Sequence, residues 1–375
     1  MKIALFGGSF DPVHNEHVRY VQAAKAALGL DRVYIIPSHI APHKAFGAAA
    51  SGADRLQMCN LAFRNLPYAE MSDYELRAAG TSYSYLTCRA FAERFPNDEL
   101  YFLVGADMLE DFFTWKNPDD ILAHATLVAC GREGENPAEF REKFFRRFGK
   151  EFISISFAGD AAASHKLRVD LAFRKPTPDL DRAVRRYIDE NRLYGHPAIA
   201  PALALEKPQR REHSYRVALM AVARARSVGV AEGKALLASA LHDCAKYVPL
   251  TSPLLEDFTP PENVPPPVMH QFTGAYLARH SFGIGDEEVL DAIRYHTSGR
   301  AGMTALGKLV FLADMLESGR SFDGVERLRE IFWKDLDGCF YEALREQTEY
   351  LAASGSRVYP LTREAYEYEK ARQNR

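Results

Sequence analysis

Two histidines three residues apart, His14 and His17, follow Gly7-Gly8 in the stretch GGSFDPVHNEH. The pattern reads as a strand that enters a glycine turn and then a helix beginning near His17. That junction turns backbone N–H groups and a positive helix end toward an anion. A spacing of three lets both rings face one side, although a tight turn with two surface histidines has the same spelling. Far downstream, His242 and Asp243 stand side by side in SALHDCAKYVP. Alone, such a pair is more often a buried histidine beside a salt-bridged aspartate. However, His213, His270, His296 and Asp314 also lie on or beside segments that are otherwise apolar. Only 12 histidines occur in the chain, so this placement points to a convergent cluster. Mixed imidazole and carboxylate donors suit Fe, Mn or another octahedral divalent ion better than structural zinc. His280, after Arg279 at a helix end, reads as solvated or capping.

The elements that must position these groups differ between the two halves. KIALF, RVYIIPS, LYFLVGAD, ATLVACG and EFISIS alternate with helical patterns such as HVRYVQAAKAAL and ADRLQMCNLAF. This alternation predicts an α/β domain, a Rossmann-like doubly wound parallel sheet, over residues 1–196. HPAIAPALALEKP has no strong period, which makes 197–202 a linker. Residues 203–375 show helical patterns throughout and predict an all-α domain. One expected helix runs through GKALLASALHDCAKYV, and a short one carrying His270 follows the loop TPPENVPPPV.

Composition narrows the function classes. With 47 basic and 50 acidic side chains the net charge is −3, which excludes a general nucleic-acid binder yet permits local phosphate pockets. No apolar run reaches membrane length and MKIALFGGSF is not a signal peptide, so a cytoplasmic protein without a membrane partner is expected. The cysteines are five, scattered and without a C-x-x-C pair, which indicates reduced core residues and no thiolate zinc site. A homo-oligomer is compatible with the sequence.

GGSFDPVHNEH resembles the H-x-G-H signature of nucleotidyltransferases. PSHIAPHK, MSDYELRAAGTSYSYLT and YFLVGADMLEDFFTWK are similar to further elements of nicotinate-nucleotide adenylyltransferases. The resemblance implies transfer of the adenylyl group of ATP to nicotinate mononucleotide with release of pyrophosphate. It implies that His14 and His17 bind the triphosphate, that Lys44 and Arg168 stabilise developing charge, and that Mg²⁺ bridges phosphate oxygens. Gly7, Gly8, Ser9, Phe10, Gly105 and Asp107 would hold the adenylyl side. Thr81, Tyr83 and Trp115 would flank the pyridine ring, Trp115 and Tyr83 being alternatively core aromatics. Two departures stand out: Glu16 replaces the glycine of H-x-G-H, and ASHKLR carries Ala163 and His165 where the family has Ser and Thr.

The H…HD…D order of the second half resembles the HD superfamily of metal-dependent phosphohydrolases. LHDCAKY, AIRYHTSGRAGM and KLVFLADMLESGRSFDGVERLRE are closer to its symmetric dinucleoside tetraphosphate hydrolases. This implies cleavage of diadenosine tetraphosphate to two ADP with Fe²⁺/Fe³⁺ or Mn²⁺. His213, His242, Asp243 and Asp314 would hold a first ion and His270 and His296 complete a second position, with Asp243 bridging. Lys246 and Arg300 would contact the polyphosphate; a solvated lysine and a loop salt bridge are the alternatives. A different nucleotide substrate, or a sensor role for this domain, also remains open.

Overall fold

Six strands form one parallel sheet among the described residues: β1 (Lys2–Gly8), β2 (Arg32–Pro37), β3 (Ala69–Met71), β4 (Glu99–Gly105), β5 (Thr126–Gly131) and β6 (Ile153–Ser156), in the order β3-β2-β1-β4-β5-β6. The computed structural model describes residues 1–39, 49–78, 80–105, 108–131, 138–156 and 164–373. Helices cover both sheet faces, which is why the strands read as apolar runs and not as alternations. On one face Ile3, Leu5, Phe102 and Leu127 join a cluster with Phe112 and Phe144. On the other, Phe6 meets Tyr20 of the helix Asn15–Leu28 edge-on at 4.9 Å. The Tyr20 hydroxyl donates to the Val104 carbonyl at 2.5 Å. The strand order reverses between β1 and β4, so the chain leaves these neighbours in opposite directions and opens a crevice at their carboxyl ends. β1 ends there in Gly7-Gly8 and β4 in Gly105.

This α/β unit comprises Met1–Leu167 and Pro176–Tyr194; the second unit comprises Arg168–Lys175 and Gly195–Arg375. The second is helical throughout its described residues. Its helices Pro208–Ala225, Glu232–Leu241, Pro266–His280, Glu287–Arg294 and Ala305–Leu316 bury Val217, Leu241, Leu277, Leu290 and Leu312 in one core. Residues 197–202, expected as a linker, include the start of the helix Ile199–Ala204. Ile199 and Ala202 belong to this core, as does Val169.

Two local expectations are corrected. The helix Glu232–Leu241 stops before His242, and residues 242–247 are turns. Their backbone bonds span three residues, Cys244 N–H to Leu241 O at 3.1 Å and Lys246 N–H to Asp243 O at 2.9 Å. The helix carrying His270 is not short: Pro266–His280 has 15 residues, and its prolines occupy the first turn, where a missing N–H costs no intrahelical bond.

Candidate active sites

The loop after β1 is held from below by buried charged groups. Asp11, 1% exposed, accepts from the Ala49 and Ala50 N–H groups and the Tyr194 hydroxyl. Arg55, equally buried, donates to the Ser9 carbonyl at 2.7 Å. At Gly8 a Cβ would stand 3.1 Å from the Phe10 ring, which would have to give by a few tenths of an ångström. Phe10 itself faces the core, edge-on to Phe6 at 5.3 Å, so what it offers a ligand is backbone.

His14 caps the helix Asn15–Leu28, and its backbone N–H donates to His17 Nδ1 at 3.2 Å. In a neutral ring this commits the His17 proton to Nε2. The two rings lie 3.8 Å apart, which is the shared face that the spacing predicts. His14 is 6% exposed with Nδ1 buried and unpartnered. Burial, aided by Arg19, lowers its pKa to about 4. The loop therefore presents the neutral His14 imidazole, the His17 ring and a helix N-terminus at the crevice, a setting for phosphate oxygens.

The remaining residues expected here are spread more widely. Thr81 is an isolated bridge residue in a stretch tied to the segment after β2, where His39 N–H donates to Ser82 Oγ at 2.9 Å. Tyr83 caps the helix Ser84–Arg94 and carries Lys116 Nζ over its ring at 4.3 Å. Trp115 packs on Phe112 and Phe102 at 5.3 and 6.2 Å, with Nε1 buried and unpartnered. Lys44 and Asp107 lie outside the described residues. Arg168 falls in the helical unit, where Glu232 pairs with both Arg168 and Arg226. Ser164 opens the helix Ser164–Ala172.

In the helical unit all six expected ligands converge. His213 Nε2 lies 2.9 Å from Asp314 Oδ1 and 3.4 Å from His242 Nε2. Asp243 Oδ2 is 3.5 Å from His242 Nε2 and 3.9 Å from His213 Nε2. Its other oxygen, Oδ1, is 3.0 Å from His270 Nε2 and 3.6 Å from His296 Nε2. One carboxylate thus faces two sets of nitrogens.

The helix ends explain the ring orientations. His242 Nδ1–H donates to Ser239 O and His296 Nδ1–H to Ile293 O, both at 2.7 Å. The last carbonyls of a helix lack intrahelical partners, so each ligand that follows a helix end finds an acceptor three residues back. His213 Nδ1–H instead meets Glu317 Oε1 at 3.0 Å. With these protons placed on Nδ1, the Nε2 lone pairs of three rings point inward among carboxylate oxygens. Such crowding of acceptors is what a divalent cation satisfies, and the donor set fits one. Burial lowers His242 to about 3, against the opposing pull of Asp243. Burial would raise Asp243, yet His242, His270 and His296 hold it well below the usual carboxylate range.

Lys246 belongs to this centre, its Nζ 3.0 Å from His270 Nε2 and 3.8 Å from Asp243 Oδ1. Arg300 is held by Asp291 at 2.8 Å and lies over the Tyr295 ring, the loop salt bridge that the sequence left open. His280 is exposed and stacks on Tyr276. Sequence reasoning missed Arg210, 2.9 Å from Asp243 Oδ2, and Arg320, 2.7 Å from Asp314 Oδ1. It also missed Thr297, with Oγ1 3.3 Å from His270 Nε2, and Glu317. The signal available for Arg210 and Glu317 was spacing: each stands three residues from a ligand.

Known families match each site. Residues 5–177 match the cytidylyltransferase-like family and residues 210–319 the HD domain, so the chain joins a nucleotidyltransferase-type domain to a metal-dependent HD domain. A Mycoplasma genitalium protein named as a probable nicotinate-nucleotide adenylyltransferase/Ap4A hydrolase is 30% identical over 324 residues, 85% of this chain and 88% of that protein. The chain belongs to this two-domain family. A Bacillus pumilus protein named as a probable nicotinate-nucleotide adenylyltransferase is 34% identical over 197 residues, 52% of this chain and 98% of its own length. A solved Clostridium acetobutylicum structure, described as a predicted HD superfamily hydrolase involved in NAD metabolism, is 30% identical. It covers 47% of this chain and 96% of its own, with a TM-score of 0.44. No helix among the described residues is long and apolar enough to cross a membrane.

Proposed function

We propose that the chain is a bifunctional cytoplasmic enzyme. Its α/β unit transfers the adenylyl group of Mg²⁺-bound ATP to nicotinate mononucleotide, giving nicotinate adenine dinucleotide and pyrophosphate. Its helical unit cleaves diadenosine tetraphosphate symmetrically to two ADP, with Fe²⁺/Fe³⁺ or Mn²⁺. The convergence of His213, His242, His270 and His296 on the two oxygens of Asp243, with Asp314 beside His213, carries the second assignment.

Adenylyl transfer is attack by one phosphate on the α-phosphorus of another, so the protein has to position and neutralise and need not supply a nucleophile. His17, with its proton on Nε2, donates to a triphosphate oxygen, and His14 offers a neutral ring beside it. Gly7 and Gly8 let the backbone approach the adenylyl group. Lys44 would neutralise charge that develops on the phosphates, Arg168 being held by Glu232 in the helical unit, and Thr81, Tyr83 and Trp115 would line the pyridine side.

In the helical unit, His213, His242, Asp243 and Asp314 would hold one ion, and Asp243, His270 and His296 a second. Such ions supply a water nucleophile of lowered pKa and a Lewis acid for phosphoryl oxygens. Lys246 and Arg210, each beside one oxygen of Asp243, neutralise the polyphosphate as it approaches. Replacing Asp243 with Ala is expected to abolish tetraphosphate cleavage while adenylyl transfer in the same preparation survives. Cleavage that persists in the variant would refute the assignment of the centre.

A further inference from the structure

The two ligand sets are supported by different kinds of group. His242 and His296 each donate Nδ1–H to a neutral backbone carbonyl. His213 Nδ1–H instead donates to a carboxylate, that of Glu317, which is 1% exposed. Glu317 is fixed in turn: Arg216 donates to both of its oxygens and Gly319 N–H to Oε2 at 2.5 Å. Arg320 Nε adds a cation 3.8 Å from Oε1.

The spacing shows why these four meet. Arg216 lies three residues after His213 on the helix Pro208–Ala225, and Glu317 lies three after Asp314 at the end of the helix Ala305–Leu316. Residues three apart share a helix face. The ligand pair His213–Asp314, at 2.9 Å, therefore lies one turn from the supporting pair Arg216–Glu317. The other set has no counterpart. His270 faces the Lys246 ammonium, 3.0 Å from Nε2 and 3.4 Å from Nδ1.

From this we infer that Glu317 is a positioning residue that makes the two metal positions unequal, the His213–His242–Asp314 position tight and the His270–His296 position weak and exchangeable. A hydrogen bond to an ionised acceptor is about twice as strong as one to a neutral acceptor. It fixes the His213 tautomer and raises the basicity of Nε2, the atom that would face the ion. Asp314 gives the same position a second carboxylate besides the shared Asp243. Cations stand against both positions, Arg210 and Arg320 on the oxygens of Asp243 and Asp314 and Lys246 on the His270 nitrogens, so the difference rests on the Glu317 contact and the second carboxylate. The inference rests on reading the cluster as a metal centre.

The test is titration of the metal-free full-length protein with Mn²⁺, followed by calorimetry and by the electron paramagnetic resonance of free Mn²⁺. Wild type is expected to bind in two phases of different affinity. Glu317→Gln, which keeps a hydrogen-bond acceptor but loses the charge, is expected to weaken the tighter phase by roughly 10–100-fold and leave the weaker phase in place. Thermal melts of the metal-free proteins run alongside. If the Gln variant does not fold, Glu317→Asp, with the charge one carbon further back, is expected to give a smaller weakening confined to the tight phase. Two equal phases in wild type, unchanged affinity in the variant, or equal weakening of both phases would overturn the inference. Wild type that binds no Mn²⁺ would instead overturn the metal-centre reading beneath it.

Discussion

The neutrality of His14 is a quantitative consequence of its burial. Its pKa falls from 6.5 to about 4, chiefly because the charged ring would be desolvated and secondarily because Arg19 is near. In the ligand-free protein about 1% of the rings are then protonated at pH 6. The folded protein binds fewer protons than the unfolded chain between pH 4 and 6.5. Stability is therefore complete above pH 6.5 and is lost as the pH falls. The full loss is about 3.4 kcal/mol, from 1.36 kcal/mol per unit, and about 2 kcal/mol of it is already present at pH 5. His14→Gln removes the titrating group. In urea denaturation the stability of wild type relative to this variant should fall by about 2 kcal/mol between pH 7 and pH 5. The imidazole Cε1 proton of His14, assigned by its absence in the variant, should not titrate above pH 5 in proton NMR. A midpoint near 6.5, or a wild-type-to-variant difference that ignores pH, would refute the account of a buried neutral ring in the phosphate loop.

Substitutions at Glu206 and at the Lys308–Glu369 pair probe buried charge in the helical unit. Burial, only partly offset by Ser214, raises the Glu206 carboxyl from 4.5 to about 8. A raised acid pKa costs stability progressively as pH rises from 4.5 to 8, by about 5 kcal/mol in all. Glu206→Gln should thus gain on wild type in thermal melts as the pH rises from 5 to 8; a constant difference would contradict this. Lys308, 2% exposed, pairs with the equally buried Glu369 at 2.8 Å and with Asp337 at 2.7 Å. Lys308→Met leaves the buried Glu369 with Arg372, 3.9 Å away, as its remaining ion pair and should cost about 3 kcal/mol in urea denaturation, whereas Lys308→Met with Glu369→Leu should recover most of it. Equal losses in the single and double variants would show that the pair is not the cause.

Much of this was legible because function forces unlike residues into apolar surroundings. His213, His242, His270, His296 and Asp314 stood out for that reason, and the structure brings them together around Asp243. The sheet was legible from the buried apolar runs of β1, β2 and β4, whereas β3, whose three residues AEM carry no period, gave no such run. The end of the helix at Leu241 was hidden because ASALHDCAKYV contains no glycine or proline to stop it. The helix Ile199–Ala204 was hidden because 6 residues, of which Ile199 and Ala202 are buried, are too few to show a period. Glu317 offered only its three-residue spacing from Asp314, since a glutamate closing an apolar helix looks solvated until a histidine from a distant segment is seen to face it. Arg300 could be separated from Lys246 only by its partner, Asp291.

The central claim, two enzymes in one chain with a metal-dependent hydrolase at its second site, is tested most directly by products. The full-length protein, stripped of metal and resupplied with Fe²⁺ or Mn²⁺, is incubated with diadenosine tetraphosphate and the nucleotides are resolved by ion-exchange chromatography. ADP alone, formed only after metal is restored, is the predicted result. ATP with AMP, or no turnover in a preparation that still makes nicotinate adenine dinucleotide from ATP and nicotinate mononucleotide, would contradict it.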